Sequence, residues 1–424
     1  MTPRVHFLVP GSLERLTGGT IYDKRVVAEL RRLGHHVVVH ELEGRFPWPD
    51  GAAQASSAHA LEAVGPGDAL VVDGLALAAI DPASELPPGV PRILLVHMPL
   101  AEERGLPYSV RVRLYAAEDT WLRRADRVLC TSPVVAAELA RRGAPEWRIG
   151  VVEPGVDPAG DGAAADGGHR ADHGHRADHG PTGVGPYGGH RVDVGLTADG
   201  ADGGRRTDVG RAADGAAGAA AMAPGHEAEA DGSDRLGEGA GDAPVRLLSV
   251  GAVTRVKAHV VLVRALARLS HLPWTLEIVG SRAFEPATGA ALRAEIDRRG
   301  LAGRVVLAGE LPHEAVCEAY RRADVFVLPS LFESYGMALA EAAAHGLPLV
   351  ASEVGGIPAT PAGRAARLVP PGDDEALARA LEPLIIDPGE RTRLAAAATA
   401  AAAELGSWAD VGAAFARELR VARG

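Results

Sequence analysis

Short apolar runs alternate with longer amphipathic segments along most of the sequence, and this alternation restricts the folds open to the chain. Thus RVHFLVP at 4–10 precedes a Gly-rich loop and then the helical pattern TIYDKRVVAELRRLG at 20–34. Apolar runs of this kind are typical of buried parallel strands. We therefore predict an α/β fold with two doubly wound parallel sheets, right-handed crossovers and helices on both faces. Ligands are expected at the carboxyl ends of the strands, in a cleft between two lobes.

Further strands are predicted at HVVVHEL (36–42), DALVVDG (68–74), RILLVHMPL (92–100), RVLCTSP (127–133), VRLLSVG (245–251), TLEIVG (275–280), RVVLAG (304–309) and DVFVLPS (324–330). Gly34 ends the first helical pattern and is predicted to adopt the left-handed conformation that terminates a helix.

Residues 159–243 differ in composition from the rest of the chain. They contain 42 Gly and Ala among 85 residues and few large apolar side chains, and part of the segment repeats as ADGGHR, ADHGHR and ADHG. Such a segment buries too little apolar surface to offset the entropy lost on ordering, so we predict a disordered low-complexity insert. Its six histidines leave metal binding open, and a drifted coding repeat is the simpler interpretation.

The formal charge of −11 is concentrated in this insert, which holds −8 and leaves −3 for the rest of the chain. The folded parts have no basic excess, which argues against a nucleic-acid partner. No apolar run approaches the roughly 20 residues of a membrane span, and the first apolar run is too short for a signal peptide. Only two cysteines occur, Cys130 and Cys317, which favours a reducing compartment. We expect a cytoplasmic protein, and peripheral membrane contact has no support in the sequence.

Two glutamates flank the start of a predicted helix in the stretch ESYGMALAEAAAHGLPLVASEVGGIP at 333–358. The preceding strand is buried, so Glu333 lies in the loop at its carboxyl end, and the helix is expected to begin near Gly336. The free N–H groups and positive dipole at Gly336 and Met337 suit a diphosphate. Glu341 lies at most about 12 Å from Glu333, so the pair spans a sugar, a diphosphate and a ribose. Either glutamate alone is ordinary near a helix start.

This stretch resembles the E-x7-E region of the retaining glycosyltransferases of family 4, which have the GT-B fold of two Rossmann-like domains. GGIPA (355–359), LVPPGD (368–373), SVGAVTRVKAH (249–259), VVEPGVDP (151–158) and SWADVGAAFARELR (407–420) resemble further family segments in the family's order, and TGGTIYDKRVVAEL (17–30) and LVHMPL (95–100) do so more loosely. The set in order is far more specific than any single piece.

The composition of the insert and the resemblance of the segments around it together predict four segments in the chain. They are an acceptor-side Rossmann-like domain at 1–158, the disordered insert at 159–243, a nucleotide-sugar-binding domain at 244–406, and a closing helix at 407–424 that crosses back to the first domain.

The resemblance also implies roles for individual residues. Glu333 is expected to bind hydroxyls of the donor sugar, and Glu341 is expected to bind the ribose. Lys257 stands where the family has a phosphate-binding lysine, but Ala252 stands where it usually has an arginine. Arg255 is near enough in sequence to reach the same phosphates. The alternative for this loop is a solvated Arg and Lys without a ligand.

Several first-half residues are further candidates. Gly18 and Gly19 follow the first strand and allow close approach of a phosphate or an acceptor. GSLERLTGG at 11–19 does not match G-x-G-x-x-G, which argues against a dehydrogenase. His97 ends a strand, and the resemblance places it near the transferred sugar, although a lone histidine there is also an ordinary strand-end residue. Asp73 and Asp119 are polar candidates for acceptor contacts.

A basic helix follows this strand. Its arginines at 111, 113, 123 and 124 fit a solvated helix face better than a site for an anionic acceptor or a membrane.

Taken together, these features predict a retaining hexosyltransferase that moves a sugar from a nucleoside diphosphate donor to a small-molecule, glycan or lipid-linked acceptor. Its catalytic residues are His97, Glu333 and Lys257, and its diphosphate-binding residues also include Arg255, Gly336, Met337, Gly18 and Gly19. No Asp-x-Asp occurs, so no essential metal is expected, and the nucleotide sugar is a substrate, leaving no cofactor.

Three other functions are compatible with parts of the sequence. A glycosidase needs its two carboxyls about 5–9.5 Å apart, which the glutamate spacing fits badly. A non-catalytic sugar-nucleotide-binding protein and a sugar-nucleotide epimerase of the same fold remain alternatives.

Overall fold

The computed structural model describes residues 3–81, 83–100, 108–157 and 243–423. The predicted insert at 159–243 therefore lies outside the described residues, apart from Ala243. The division into domains at 1–158, 244–406 and 407–424 stays a prediction.

The first half forms a six-stranded parallel sheet in the order β2-β1-β3-β4-β5-β6. Its strands are β1 (Arg4–Pro10), β2 (His36–Leu42), β3 (Ala69–Asp73), β4 (Arg92–Val96), β5 (Arg127–Cys130) and β6 (Ile149–Val151). The first five were predicted from their apolar runs, and the fold class is confirmed.

The second half forms another six-stranded parallel sheet, in the order β12-β11-β10-β7-β8-β9. Its strands are β7 (Val245–Val250), β8 (Trp274–Val279), β9 (Val305–Gly309), β10 (Val325–Leu328), β11 (Leu349–Ser352) and β12 (Arg367–Val369). In each sheet the strand order reverses at one point, between β1 and β3 in the first and between β7 and β10 in the second. Such reversal points open crevices at the carboxyl ends of strands.

Helices connect the strands. They are α1 (Gly18–Arg32), α2 (Gly51–Glu62), α3 (Tyr108–Arg124), α4 (Pro133–Arg141), α5 (His259–Arg268), α6 (Pro286–Arg298), α7 (His313–Arg322), α8 (Met337–Ala344), α9 (Pro361–Ala365), α10 (Asp374–Ile386), α11 (Pro388–Ala402) and α12 (Trp408–Ala422). Gly34 ends α1 as predicted, with a φ of +88° and its N–H bonded to the carbonyl oxygen of Arg31 at 3.0 Å.

Each sheet has a buried apolar core on both faces. Val5, Phe7 and Val9 of β1 point into one core with α1 and α12, whereas Leu8 points into the other with α2 and α3. The second sheet is covered in the same way, by α5 and α10 on one face and by α7 and α8 on the other. Polar groups are therefore kept off the faces and lie mainly where strands end.

The last helix, α12, packs on the first sheet although it follows the second sheet in sequence. Phe415 is fully buried against Phe7, with ring centroids 6.2 Å apart. Glu418 accepts a hydrogen bond from Nε of Arg127 at 2.6 Å. Gly412 lies against α1 so closely that a Cβ there would be 2.3 Å from Cβ of Glu29. The core of the first sheet is therefore completed by the end of the described chain.

Within the described residues, no helix has both the length and the apolar content needed to cross a bilayer.

Replacing Phe415 with Ala should lower the free energy of unfolding by about 3–5 kcal/mol, because it leaves a cavity between α12 and β1. Urea denaturation followed by circular dichroism measures this. Val421→Ala on the same helix is the matched control, since Val421 is 58% exposed, and it should change stability by less than about 0.5 kcal/mol. Equal effects of the two substitutions would contradict the docking of α12.

Candidate functional site

Two loops meet where the strand order of the second sheet reverses. One follows β7 and contains Lys257, and the other follows β10 and contains Glu333. Nζ of Lys257 lies 2.5 Å from Oε1 of Glu333, and Ser330 donates its hydroxyl hydrogen to the same oxygen at 2.7 Å. The main chains are also joined, since the N–H of Leu331 bonds the carbonyl of Val256 at 2.7 Å. The structure thus brings together two residues that are 76 positions apart.

The Gly-Gly-Ile-Pro turn holds the Glu333 loop from the other side. The N–H of Gly356 donates to the carbonyl of Glu333 at 2.9 Å. A Cβ at Gly355 would lie 1.9 Å from that carbonyl oxygen, and a Cβ at Gly356 would lie 2.0 Å from the carbonyl oxygen of Ser334. Gly355 also has a φ of +52°. Both glycines are required because the two main chains are in contact, which explains the Gly-Gly pair structurally.

The loop after β7 is built in a similar way. A Cβ at Gly280 would lie 2.1 Å from the carbonyl oxygen of Gly251, so a glycine after β8 allows this loop to lie close. Ala258 has a φ of +51°, a conformation that costs a non-glycine residue about 1–2 kcal/mol. Arg255 is exposed on this loop, and its main-chain N–H donates to Oε2 of Glu285 at 2.9 Å. Strained backbone of this kind is enriched at functional sites.

The start of α8 faces the start of α1. Gly336 caps α8 in the left-handed conformation, with a φ of +88°, and Met337 is the first helical residue. A Cβ at Gly18, the first residue of α1, would lie 3.9 Å from Sδ of Met337. The first residues of the two helices therefore lie close together, and the positive dipole end of each helix suits an anion.

Glu341 lies further along α8 and is partly buried. Its Oε2 accepts a hydrogen bond from the hydroxyl of Tyr320 at 2.9 Å. Burial raises the pKa of Glu341 to about 7, the Tyr320 bond opposes this shift, and the negative charge of Asp157 adds to it. Asp157 is itself paired with Arg25 of α1 and lies 3.4 Å from Nε2 of His313. Glu341 therefore belongs to a charged network that includes residues of both halves.

In the first sheet, His97 follows β4 and lies between two carboxylates. Its Nε2 is 3.0 Å from Oδ1 of Asp23, on α1, and 3.2 Å from Oδ2 of Asp73, at the end of β3. Burial opposes a charge on the ring, but the two aspartates overcome it and raise the pKa of His97 to about 10. Gly19 leaves room for the ring, since a Cβ there would lie 3.2 Å from Cδ2 of His97.

These three side chains are also of types that bind divalent cations, and one donor atom from each lies within 4.8 Å of the others. A metal ligand must be an unprotonated imidazole. Two carboxylates sharing one ring nitrogen favour the protonated ring, so the arrangement fits an internal ion cluster better than a metal centre.

The other first-half candidates lie elsewhere. Asp119 accepts hydrogen bonds from Arg142 and is engaged in that pair rather than directed to His97. The four arginines of α3 are exposed, as expected for a solvated face: Arg111, Arg113, Arg123 and Arg124.

Three residues of the site were missed from the sequence. Asp23 had a signal, because it stands in the buried stripe of α1 with Val26, Val27 and Leu30, where a charged residue is unusual. Ser330 and Tyr320 had none, since their contacts with the two glutamates depend on how separate segments pack.

Two glycosyltransferase family models match the chain. Residues 244–387 match the model for glycosyl transferases group 1, and residues 68–159 match the model for glycosyltransferase family 4. Together the two matches cover more than half of the chain. The chain belongs to glycosyltransferase family 4.

Curated relatives of this family 4 protein match over part of their length. The D-inositol 3-phosphate glycosyltransferase of Xylanimonas cellulosilytica is 36% identical over 177 residues, which is 41% of either protein. The lipopolysaccharide core biosynthesis mannosyltransferase LpcC of Rhizobium leguminosarum is 34% identical over 142 residues, 32% of this chain and 40% of LpcC. The matched region thus spans about two fifths of these curated relatives.

Solved structures similar to this family 4 protein share its fold over nearly the whole chain. Sucrose-phosphate synthase from Thermosynechococcus elongatus has a TM-score of 0.65 at 19% identity, covering 99% of this chain and 98% of that one. Anabaena HepE in complex with UDP and glucose has a TM-score of 0.64 at 15% identity, with 99% of both chains covered. WaaG, an enzyme of lipopolysaccharide biosynthesis, has a TM-score of 0.63 at 16% identity, with coverages of 99% and 100%. The predicted family and GT-B fold are confirmed.

Replacing Gly355 with Ala in this family 4 protein should lower the free energy of unfolding by about 2–4 kcal/mol, because the new Cβ displaces the main chain of Glu333. Chemical denaturation measures the change. Gly303→Ala is the control, since a Cβ there meets nothing within 4 Å. A tolerated Gly355→Ala would show that the two main chains are not in fixed contact.

Glu341 predicts a pH dependence of stability. Its pKa is about 7 in the folded chain against an ordinary 4.5, so the folded state holds a proton that the unfolded state releases between these values. This contribution is fully present below pH 4.5 and is lost as the pH rises through 7. Glutamine does not titrate, so Glu341→Gln does not lose this contribution. The free energy of unfolding of Glu341→Gln minus that of wild type should therefore increase by about 1–3 kcal/mol from pH 5 to pH 8. Denaturation at both pH values tests this, with Glu318→Gln, an exposed residue, as the unaffected control.

Proposed function

We propose that this protein transfers a hexose-type sugar from a nucleoside diphosphate sugar to an acceptor hydroxyl, with retention of the anomeric configuration. The Lys257–Glu333 pair is the observation that supports this function most. It lies at the reversal point of the second sheet, beside the N-terminus of α8, and joins a cation suited to phosphate with a carboxylate suited to sugar hydroxyls.

In this proposal Lys257 binds the diphosphate together with the amides of Gly336 and Met337, and Arg255 contributes from the same loop as Lys257. These groups are preorganised around the negative charge that grows on the departing diphosphate. Gly18 and Gly19 approach the same region from α1. Lys257 is one of only two lysines in the chain, and the other, Lys24, pairs with Glu14 on the surface.

The two glutamates bind the groups on either side of the diphosphate. Glu333 is buried, and the oxygens of an ionised carboxylate can only accept hydrogen bonds, which fits sugar hydroxyls as donors. Glu341 accepts ribose hydroxyls in the same way, in addition to the bond from Tyr320. This pairing requires Glu341 to be ionised, so donor binding should favour the alkaline side of its raised pKa.

The reaction needs no protein nucleophile in this scheme. The bond from the anomeric carbon to the diphosphate oxygen breaks, and the acceptor oxygen bonds to the same face of that carbon. The acceptor proton passes to the released diphosphate, so that charges and atoms balance. His97 orients the sugar, and no divalent metal is required.

We further propose a hydroxylated small molecule as acceptor. The curated relatives include proteins named for D-inositol 3-phosphate, which makes that compound the first acceptor to test, beside unphosphorylated inositol and simple glycans.

Donor binding is testable by a thermal-shift screen of nucleoside diphosphate sugars on the full chain, because a ligand that binds only the folded state raises the apparent Tm. With the donor that gives a shift, Lys257→Ala should abolish most of the shift and reduce transfer by about 10²–10³-fold. Lys24→Ala should leave both unchanged. Wild-type transfer rates in Lys257→Ala and Glu333→Gln would refute the site.

Transfer itself is measured by release of nucleoside diphosphate with and without acceptor. If the donor binds but no nucleoside diphosphate is released with any acceptor tested, the result favours the non-catalytic sugar-nucleotide-binding protein. The alanine at position 252, where the family usually has an arginine, already motivates this alternative. Conversion of the donor sugar to its epimer, without transfer to an acceptor, would favour an epimerase.

A further inference from the structure

Asp23 and Asp73 have no part in binding the donor in the scheme above, yet they form the most buried charged contact of the first sheet's site. Their side chains are 2% and 6% exposed, against 20% for His97. Both approach the same ring nitrogen, Nε2. A single carboxylate is enough to orient a histidine, so the second one calls for an explanation.

The rest of the ring is also held in place. The ring meets the edge of Tyr22 at a centroid distance of 5.2 Å and an angle of 77°. The hydroxyl of Thr131 donates to the carbonyl of His97 at 3.1 Å. No hydrogen bond joins Nδ1 to any residue in the part of the chain that the structure describes. Among the described residues, the protein therefore holds the ring through Nε2 alone.

The titratable groups around the ring come from two neighbouring elements. α1 contributes Asp23 and Tyr22, and β3 contributes Asp73. Burial raises the pKa of Tyr22 well above its ordinary value, so its hydroxyl is neutral near pH 7. The charges that act on the ring are therefore those of the two aspartates.

We propose that Asp23 and Asp73 are positioning residues that keep His97 as an imidazolium, with its Nδ1–H directed to an oxygen atom of the sugar donor or acceptor. The proposal rests on the proposed function for the identity of that substrate. Both ring nitrogens of an imidazolium are donors. When Nε2–H is hydrogen-bonded to Asp23 and ion-paired with Asp73, Nδ1–H is the donor that is left for the substrate.

This assignment excludes a role for His97 as a general base near neutral pH, because a protonated ring has no free lone pair. Burial raises the pKa of Asp23 to about 7 even beside His97. Asp23 therefore takes up or releases a proton around pH 7, while the ring stays protonated. No proton needs to leave the cluster during transfer.

The protonation state of His97 is measurable without any substrate. We expect ¹⁵N-histidine correlation spectra of the full chain, with the His97 signals identified by their loss in His97→Gln, to show an imidazolium at pH 8.5. An ordinary histidine, with a pKa near 6.5, is neutral there. In Asp73→Asn the pKa of His97 should fall by about 1–3 units. Asp157→Asn, which removes a carboxylate from the other network, should leave it unchanged.

Transfer activity provides the second readout. In wild type, deprotonation of His97 should cause no loss of transfer activity between pH 7 and 9. Asp73→Asn should lose transfer activity as the pH rises through the lowered pKa of the His97 ring. His97→Gln should be slow at every pH. Asp73→Glu, which keeps the charge, should restore the wild-type pH profile, and this rescue separates positioning from a merely structural role.

A neutral His97 at pH 8.5 in wild type would overturn the proposal, as would an unchanged pKa in both Asp73→Asn and Asp23→Asn. If an aspartate variant does not fold, the wild-type spectrum still decides. A stoichiometric metal that dissociates with EDTA and changes the His97 signals would also overturn it, in favour of a metal centre. If the spectra show an imidazolium at His97 but no nucleoside diphosphate sugar binds, the proposed function is refuted. The assignment of the Asp23–Asp73–His97 ion cluster would then still hold.

Discussion

Both faces of each parallel sheet are covered by helices, and this constraint decides where polar chemistry is available in the protein. A buried strand has no solvated face, so charged side chains are confined largely to the loops where strands end. Lys257, Glu333 and His97 all lie beyond such ends, and Asp73 is the last residue of its strand. The catalytic proposal is thus a consequence of sheet architecture as much as of residue type.

The two halves contribute different charges to the region between them. The second half supplies a lysine beside a helix N-terminus, which suits a phosphate. The first half supplies an acidic cluster whose only internal cation, among the described residues, is a histidine ring. A nucleotide sugar has the matching polarity, with a dianionic diphosphate that joins the nucleoside to a sugar with neutral hydroxyls. This complementarity is electrostatic and does not depend on resemblance to other proteins.

Much of the fold was predictable because apolar runs and punctuating glycines are local signals. The runs at 4–10 and 36–42 became strands with those bounds, and Gly34 ends α1 as expected. The helices α2, α4, α9, α10 and α11 were not predicted. For α2 the reason is physical, since its small side chains give almost no amphipathic pattern. The Gly-Gly pair at 355–356 was recognisable as a motif, but its physical cause, contact with the main chain of Glu333, appears only in three dimensions. The same is true of the Asp23–His97 contact, which joins α1 to the end of β4.

The position of α12 affects how the protein is made on the ribosome. Chains emerge from the N-terminus, and early domains commonly fold before later ones are synthesised. Here the first sheet stays without Phe415 and Trp408 until the second sheet has been translated. Phe7 and Tyr22 pack against these two rings in the folded protein, so this part of the core lacks its cover until α12 has been synthesised. The core of the first sheet is therefore completed by a helix that is synthesised after the second sheet.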